Sequence, residues 1–116
     1  MTYEEFLARI IRDGLAEVQE AYKDQPNKLK GAIAGFKTCE NRTPAELALE
    51  LKKVTGTVQW LYTQSDHDRY WRARMKQAQI EFVCNCVSAM LMNEKKPVII
   101  NPTALGMMKA AEIING

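Results

Sequence analysis

One segment, residues 65–93, limits the fold of this chain more than any other. It begins with Ser65-Asp66, which is typical of a helix N-cap, and Lys95-Lys96-Pro97 ends the pattern. The part from Ile80 to Met92 is apolar on nearly every face of a helix, and such a helix must be buried. The part before it is charged. We therefore predict a helix of about 27 residues at the centre of the domain, with a basic N-terminal half directed toward a surface.

Two capping signals mark the starts of other helices. Thr2 followed by Glu5 forms a capping box, and apolar residues then recur at helical spacing up to Tyr22. Thr43-Pro44-Ala45-Glu46 combines a capping hydroxyl, a proline at the first helical position and a glutamate three residues after the cap. Both segments are therefore predicted to begin a helix.

A weaker helical pattern runs from Lys28 to Thr38. Gly31 and Gly35 weaken it, because each costs about 1 kcal/mol relative to alanine inside a helix. Their four-residue spacing would also leave one face smooth enough for another helix to approach closely.

The C-terminal part of the chain predicts one more helix. Asn101-Pro102-Thr103 can cap a helix from Ala104 to Ile114, and Val98 to Ile100 is the only stretch typical of a strand. The side chains of this helix predicted to face inward are Leu105, Met108, Ala111 and Ile114. Residues 1–116 are thus predicted to form a single all-α domain, a compact bundle of five or six helices around a long buried central helix.

The composition favours a soluble cytoplasmic protein. Of the 116 residues, 47% are apolar and 26% are charged, which argues against a disordered chain, and no apolar run reaches the roughly 18 residues that cross a bilayer. The acidic start argues against a secretory signal, and three irregularly spaced cysteines favour reduced thiols over disulfides. We expect a cytoplasmic location and no membrane partner.

Residues 43–62 read TPAELALELKKVTGTVQWLY and contain a spaced set of small and apolar residues. The set consists of Glu46-Leu47-Ala48, then Leu51, then Thr57-Val58 and Leu61. This spacing resembles a helix-turn-helix DNA-binding motif, in which a small residue lets the second helix cross closely and apolar residues fill the wedge between the helices. The resemblance implies that the segment folds as two helices and that the second enters a major groove.

The turn of this candidate motif, residues 43–64, is atypical. Lys52 and Lys53 stand where the family usually has a glycine and then a buried aliphatic residue, and the apolar pattern breaks only at Thr55-Gly56-Thr57. The alternative is one longer helix from Pro44 to Thr63 that merely contains a glycine.

The resemblance implies base contacts from the second helix, because glutamine can pair with adenine and the threonine methyl group suits the methyl group of thymine. An exposed Trp60 could stack on an unpaired base. The residues assigned to bases are Thr57, Gln59, Trp60 and Thr63. Basic side chains in and after the motif are assigned to phosphates: Lys52, Lys53, Arg69, Arg72 and Lys76.

The net charge of +2 excludes a charge-dominated nucleic-acid binder but hides an uneven distribution. Residues 1–26 carry a net charge of −3, residues 27–43 carry +3 and residues 66–116 carry +2. The basic surplus therefore lies on both sides of the candidate motif.

On the long helix, Arg69, Arg72 and Lys76 fall on one stripe, which suits contact with phosphates. The alternative is a solvated face on which Asp66 and Asp68 form ion pairs with the two arginines at helical spacing.

Catalytic and metal sites find little support in the sequence. His67 is the only histidine, Cys84 and Cys86 would face different sides of a helix, and no phosphate loop or dinucleotide motif occurs. We predict no enzyme activity, no metal site and no cofactor.

Nucleic-acid binding, with DNA rather than RNA as the partner, is the function that the sequence favours. The alternative is a non-enzymatic helical protein-protein interaction module or small homodimeric adaptor. In that case the amphipathic first helix and the apolar last helix would supply the interface.

Overall fold

The computed structural model describes residues 1–116 and contains five α-helices and no strand. The helices are α1 (Tyr3–Ala21), α2 (Pro26–Thr38), α3 (Pro44–Tyr62), α4 (His67–Asn93) and α5 (Ala104–Asn115). Each of the other four helices packs against α4. The predicted all-α bundle around a long central helix is therefore confirmed.

Burial along α4 matches the division of its sequence into a charged first half and an apolar second half. All residues from 83 to 91 are buried, whereas much of the stretch before Met75 reaches solvent. Asp66 caps the helix by accepting a hydrogen bond from the backbone amide of Arg69 at 3.1 Å. The predicted length of about 27 residues is confirmed, because the helix ends at Asn93.

Two polar side chains inside the buried part of α4 hold the segment that follows it. The chain turns after α4 and runs back along it as residues 94–103, which we call the return segment. The backbone amides of Ile99 and Ile100 donate hydrogen bonds to Ser88 Oγ, at 3.1 and 3.2 Å. The amide of Thr103 donates to Asn85 Oδ1 at 2.8 Å. The strand predicted at Val98 to Ile100 is therefore wrong, since amides of this stretch bond to a helix side chain and not to another strand.

Two glycines allow α2 to lie against the backbone of α4. A methyl group at Gly31 would overlap the carbonyl group of Arg72, and one at Gly35 would lie 2.7 Å from the carbonyl oxygen of Lys76. The constant offset between these partners shows that the two helices run parallel. The close helix approach predicted from the glycine spacing is confirmed.

The helix-turn-helix geometry predicted for residues 43–64 is absent. α3 begins at the capping box of Thr43 and Glu46 and continues without interruption to Tyr62. Gly56 faces open solvent, so nothing draws the chain into a turn there. One apolar stripe faces the interior along the whole helix: Leu47, Val54, Val58 and Leu61. The alternative of one long helix is the correct one.

The rotation of α5 about its axis differs from the prediction. Gly106, Ala110 and Ile113 face inward, whereas all four residues predicted to do so are exposed. A methyl group at Gly106 would lie 2.8 Å from Asn85 Cβ, so the close approach to α4 requires this glycine at the contact. Because both sides of α5 are apolar, periodicity alone did not distinguish them.

An ion pair connects α5 to α1. Lys109 Nζ lies 3.2 Å from Asp13 Oδ2, and Arg9 Nε lies 3.1 Å from the same oxygen. Burial disfavours the charged form of Asp13, but the hydrogen bonds from Lys109 and Arg9 outweigh it and hold the pKa of this carboxyl below its usual value. The pair therefore favours the charged carboxylate in the folded state.

Replacing Gly31 or Gly35 with alanine should destabilise the protein by about 1–3 kcal/mol, because the added methyl group forces α2 away from α4. Gly56→Ala is the matched control, since it adds the same methyl group to a helix where nothing lies within 4 Å. It should stabilise by up to about 1 kcal/mol through helix propensity. Urea unfolding followed by circular dichroism measures the free energy of unfolding of the three variants. Equal effects at all three positions would contradict the close contact between α2 and α4.

Asp13→Asn should lower the free energy of unfolding at pH 7 by about 1 kcal/mol. A carboxyl whose pKa is depressed in the folded state stabilises the fold above its unfolded pKa, about 3.9, and this contribution is lost as the pH falls through the folded pKa. The difference between variant and parent should therefore shrink between pH 4 and pH 2. Glu17→Gln removes an exposed carboxylate of the same helix that acts on Lys109 without an ion pair within 4.0 Å, so it should show a smaller difference.

Candidate functional site

A basic groove opens between α2, α3 and the N-terminal half of α4. It has a volume of about 290 Å³. Small residues and a leucine form its walls, and three cations of α4 line it: Gly31, Ala34, Leu61, Ala73, Arg69, Arg72 and Lys76. The three cations that the sequence assigns to phosphates on α4 therefore share one concave site.

The helices position these cations in a simple way. Arg69, Arg72 and Lys76 stand three and four residues apart, which places them on one face of α4. Arg72 Nε donates a hydrogen bond to Asn27 Oδ1 at 3.1 Å, and Asn27 Nδ2 donates to the carbonyl oxygen of Asp68 at 2.9 Å. This amide orients the guanidinium group of Arg72 and leaves its terminal N–H groups available to a ligand.

No acidic side chain neutralises the groove. No carboxylate oxygen lies within 4.0 Å of the side-chain nitrogens of Arg69, Arg72 or Lys76. Asp66 bonds to the backbone amide of Arg69 as the helix cap and not to its guanidinium group. The ion pairs that the sequence offers as an alternative for Asp66 and Asp68 are not formed.

A larger groove of about 550 Å³ between α1 and the loop before α3 shows the contrast. It contains two arginines, but Arg12 lies 3.6 Å from Asp13, and Arg42 lies 3.6 Å from Glu46 and 3.7 Å from Glu50. Its cations are therefore paired within the protein, whereas those of the basic groove are not.

Two lysines of α2 add positive charge outside the lining of the basic groove. Lys30 and Lys37 lie four residues before and three residues after Ala34, so they share its side of the helix. Both are exposed and neither forms an ion pair. Sequence reasoning finds the surplus charge of residues 27–43 but names neither lysine, because their place beside α4 depends on the packing at Gly31 and Gly35.

Trp60 lies at the edge of the groove and Trp71 does not. The guanidinium carbon of Arg69 lies 5.9 Å from the centre of the Trp60 ring, and the indole is 55% exposed. Trp71 follows Arg69 by two residues, about 200° around α4, and its ring lies under Lys28 Nζ at 5.2 Å. Only Trp60 is therefore available to a ligand in the groove.

The other residues assigned from the resemblance lie on the solvent side of α3 and do not line the groove. Lys52, Lys53, Thr57, Gln59 and Thr63 are all exposed. The hydroxyl groups of Thr57 and Thr63 donate to carbonyl oxygens of their own helix, at 3.2 and 2.7 Å, and Lys53 lies 3.7 Å from Glu50. Because the turn is absent, these residues do not form the surface of a separate recognition helix.

None of the five helices combines the length and the apolar character that crossing a bilayer requires. No protein-family model, curated protein or solved structure matches this chain. The basic groove and the other surfaces of the chain are therefore the features that indicate a function.

Proposed function

We propose that the protein binds nucleic acid through the basic groove, without a helix-turn-helix. One observation supports the proposal: Arg69, Arg72 and Lys76 line one concave site, and none of them has a carboxylate oxygen within 4.0 Å. Cations left unpaired by the protein are free to replace the counterions that surround phosphates, which is the main source of affinity for a nucleic acid.

The arrangement of the cations suits a chain of phosphates better than a single phosphate. Arg69 and Lys76 are seven residues apart on α4, as are Lys30 and Lys37 on α2. Seven residues span about 10 Å along a helix, which is about three nucleotides of a strand. Two parallel helices therefore carry positive charge along both sides of the groove over that length.

Trp60 favours a strand with unpaired bases. Its indole is more than half exposed beside Arg69, where a base could stack on the ring while Arg69 contacts a phosphate. Bases inside a duplex are already stacked and paired, so they cannot use this ring. Single-stranded DNA or RNA is the ligand that this combination fits.

Arg72→Ala plus Lys76→Ala should weaken binding of a 20-nucleotide single strand at least tenfold at 50 mM salt, because two phosphate contacts are lost. The slope of log affinity against log salt should decrease in size by about 1.4, or 0.7 for each lost contact. Fluorescence anisotropy of a labelled oligonucleotide measures both quantities.

The matched control is Arg12→Ala plus Lys96→Ala, which removes one arginine and one lysine outside the groove. This control lowers the net charge by the same amount as the groove variant, and it should retain most of the affinity for the single strand. Equal losses in the two double variants, or no binding by the parent at low salt, would contradict the proposal.

Trp60 and Trp71 are the only tryptophans, so fluorescence can test each one separately. In Trp71→Phe the emission comes from Trp60 and should be quenched when a single strand binds. In Trp60→Phe the emission comes from Trp71 and should change little. A duplex with the same number of phosphates should quench Trp60 less. Equal quenching in both variants would show that no base stacks on Trp60.

A further inference from the structure

An exposed apolar surface lies at the far end of α4 from the basic groove. Apart from Glu112 and Asn115, every solvent-facing residue of α5 is apolar. We call this surface the apolar face. Its large members, including one from the end of α4, are Met92, Leu105, Met107, Met108 and Ile114.

The apolar face contains both a ridge and a furrow. Leu105 and Met108, three residues apart on α5, are 63% and 69% exposed and form the ridge. On the opposite flank of α5 a furrow of about 520 Å³ runs between α5 and the end of α4, lined by Met92, Met107 and Ile114 and also by polar residues that include Lys95. In a contact between two identical surfaces related by a two-fold axis, side chains at the axis meet their own copies, and side chains away from it meet different residues of the other copy.

The charges on α5 do not select a charged partner. Glu112 is the one charged side chain on the exposed side of the helix, and its carboxylate lies 3.6 Å from Lys109 Nζ. Lys109 in turn forms an ion pair with Asp13. The ridge therefore requires an apolar counterpart, and the same face of a second copy provides one.

The area of the apolar face is sufficient for a modest dimer. Exposed fractions between 41% and 69% over its five large side chains correspond to roughly 500 Å². Two faces in contact would bury at most roughly 1,000 Å², the lower limit for a specific interface. An interface at this limit is expected to be weak, so the dimer should form only as the protein concentration rises.

We propose that the protein forms a homodimer in which the apolar faces of two copies pack together about a two-fold axis. Met108 lies near the centre of the exposed side of α5, so the two copies of this residue would be close to the axis. The proposal does not depend on nucleic-acid binding, and its tests use no nucleic acid.

Sedimentation velocity of the full chain between 1 and 100 µM tests the association. The parent should approach twice the monomer mass of 13.2 kDa as the concentration rises. Leu105→Lys plus Met108→Lys should remain monomeric with an unchanged circular dichroism spectrum, because neither side chain is in the core. Leu49→Lys is the matched control, since Leu49 is 52% exposed on α3, outside the apolar face, and this variant should still dimerise. A parent that stays monomeric at 100 µM, or a dimer that survives the double substitution, overturns the proposal.

Cysteine cross-linking tests the geometry without disturbing the apolar surface strongly. Cys39, Cys84 and Cys86 are buried, so a cysteine placed at Met108 is the one accessible thiol. Under mild oxidation with a disulfide such as oxidised glutathione, Met108→Cys should form a covalent dimer, with each new disulfide matched by reduction of the reagent. Leu49→Cys at the same concentration should not. Equal cross-linking of the two variants, or none in Met108→Cys, overturns the two-fold arrangement.

Discussion

Burial of the C-terminal half of α4 on every side is the constraint on which the rest of the structure depends. Nine consecutive residues, 83–91, are removed from solvent, and one neighbouring helix cannot achieve this. Four helices and the return segment therefore surround α4. Ser88 and Asn85, the polar residues within this stretch, are buried at low cost because they accept hydrogen bonds from backbone amides of the return segment.

The same helix has a different relation to its neighbours in its first half. There α2 approaches so closely at Gly31 and Gly35 that backbone meets backbone, and the long basic side chains of α4 extend past α2 instead of being covered by it. The close approach of α2 thus accounts both for the groove and for its positive charge. Without the two glycines, α2 would stand further from α4 and the lysines of α2 would lie further from Arg72 and Lys76.

Local signals in the sequence predicted most of the fold. Capping residues act on the first turn of their own helix, so the starts of α1, α3, α4 and α5 could be predicted from nearby residues. The turn at residues 55–57 was predicted wrongly, because a glycine costs a helix about 1 kcal/mol. The burial of Val54, Val58 and Leu61 on one continuous stripe outweighs that cost.

Features that depend on contacts between residues far apart in the sequence were harder to predict. The exposed side of α5 could not be identified because both of its sides are apolar, and the choice is made by Asn85 and Asp13, far away in the sequence. On the candidate site, Arg69, Arg72 and Lys76 were found from their spacing on one helix. The contribution of Lys30 and Lys37 was not predicted, because it arises only when α2 packs beside α4.

The length of α4 has a consequence for how this protein can change. A helix of 27 residues is about 40 Å long, close to the 44 Å longest dimension of the molecule, and it places the basic groove and the apolar face near opposite ends. Effects of substitutions more than about 10 Å apart generally add without coupling. Substitutions can therefore alter the charge of one end and the apolar character of the other independently, whereas the buried residues 83–91 of α4 must be retained in both cases.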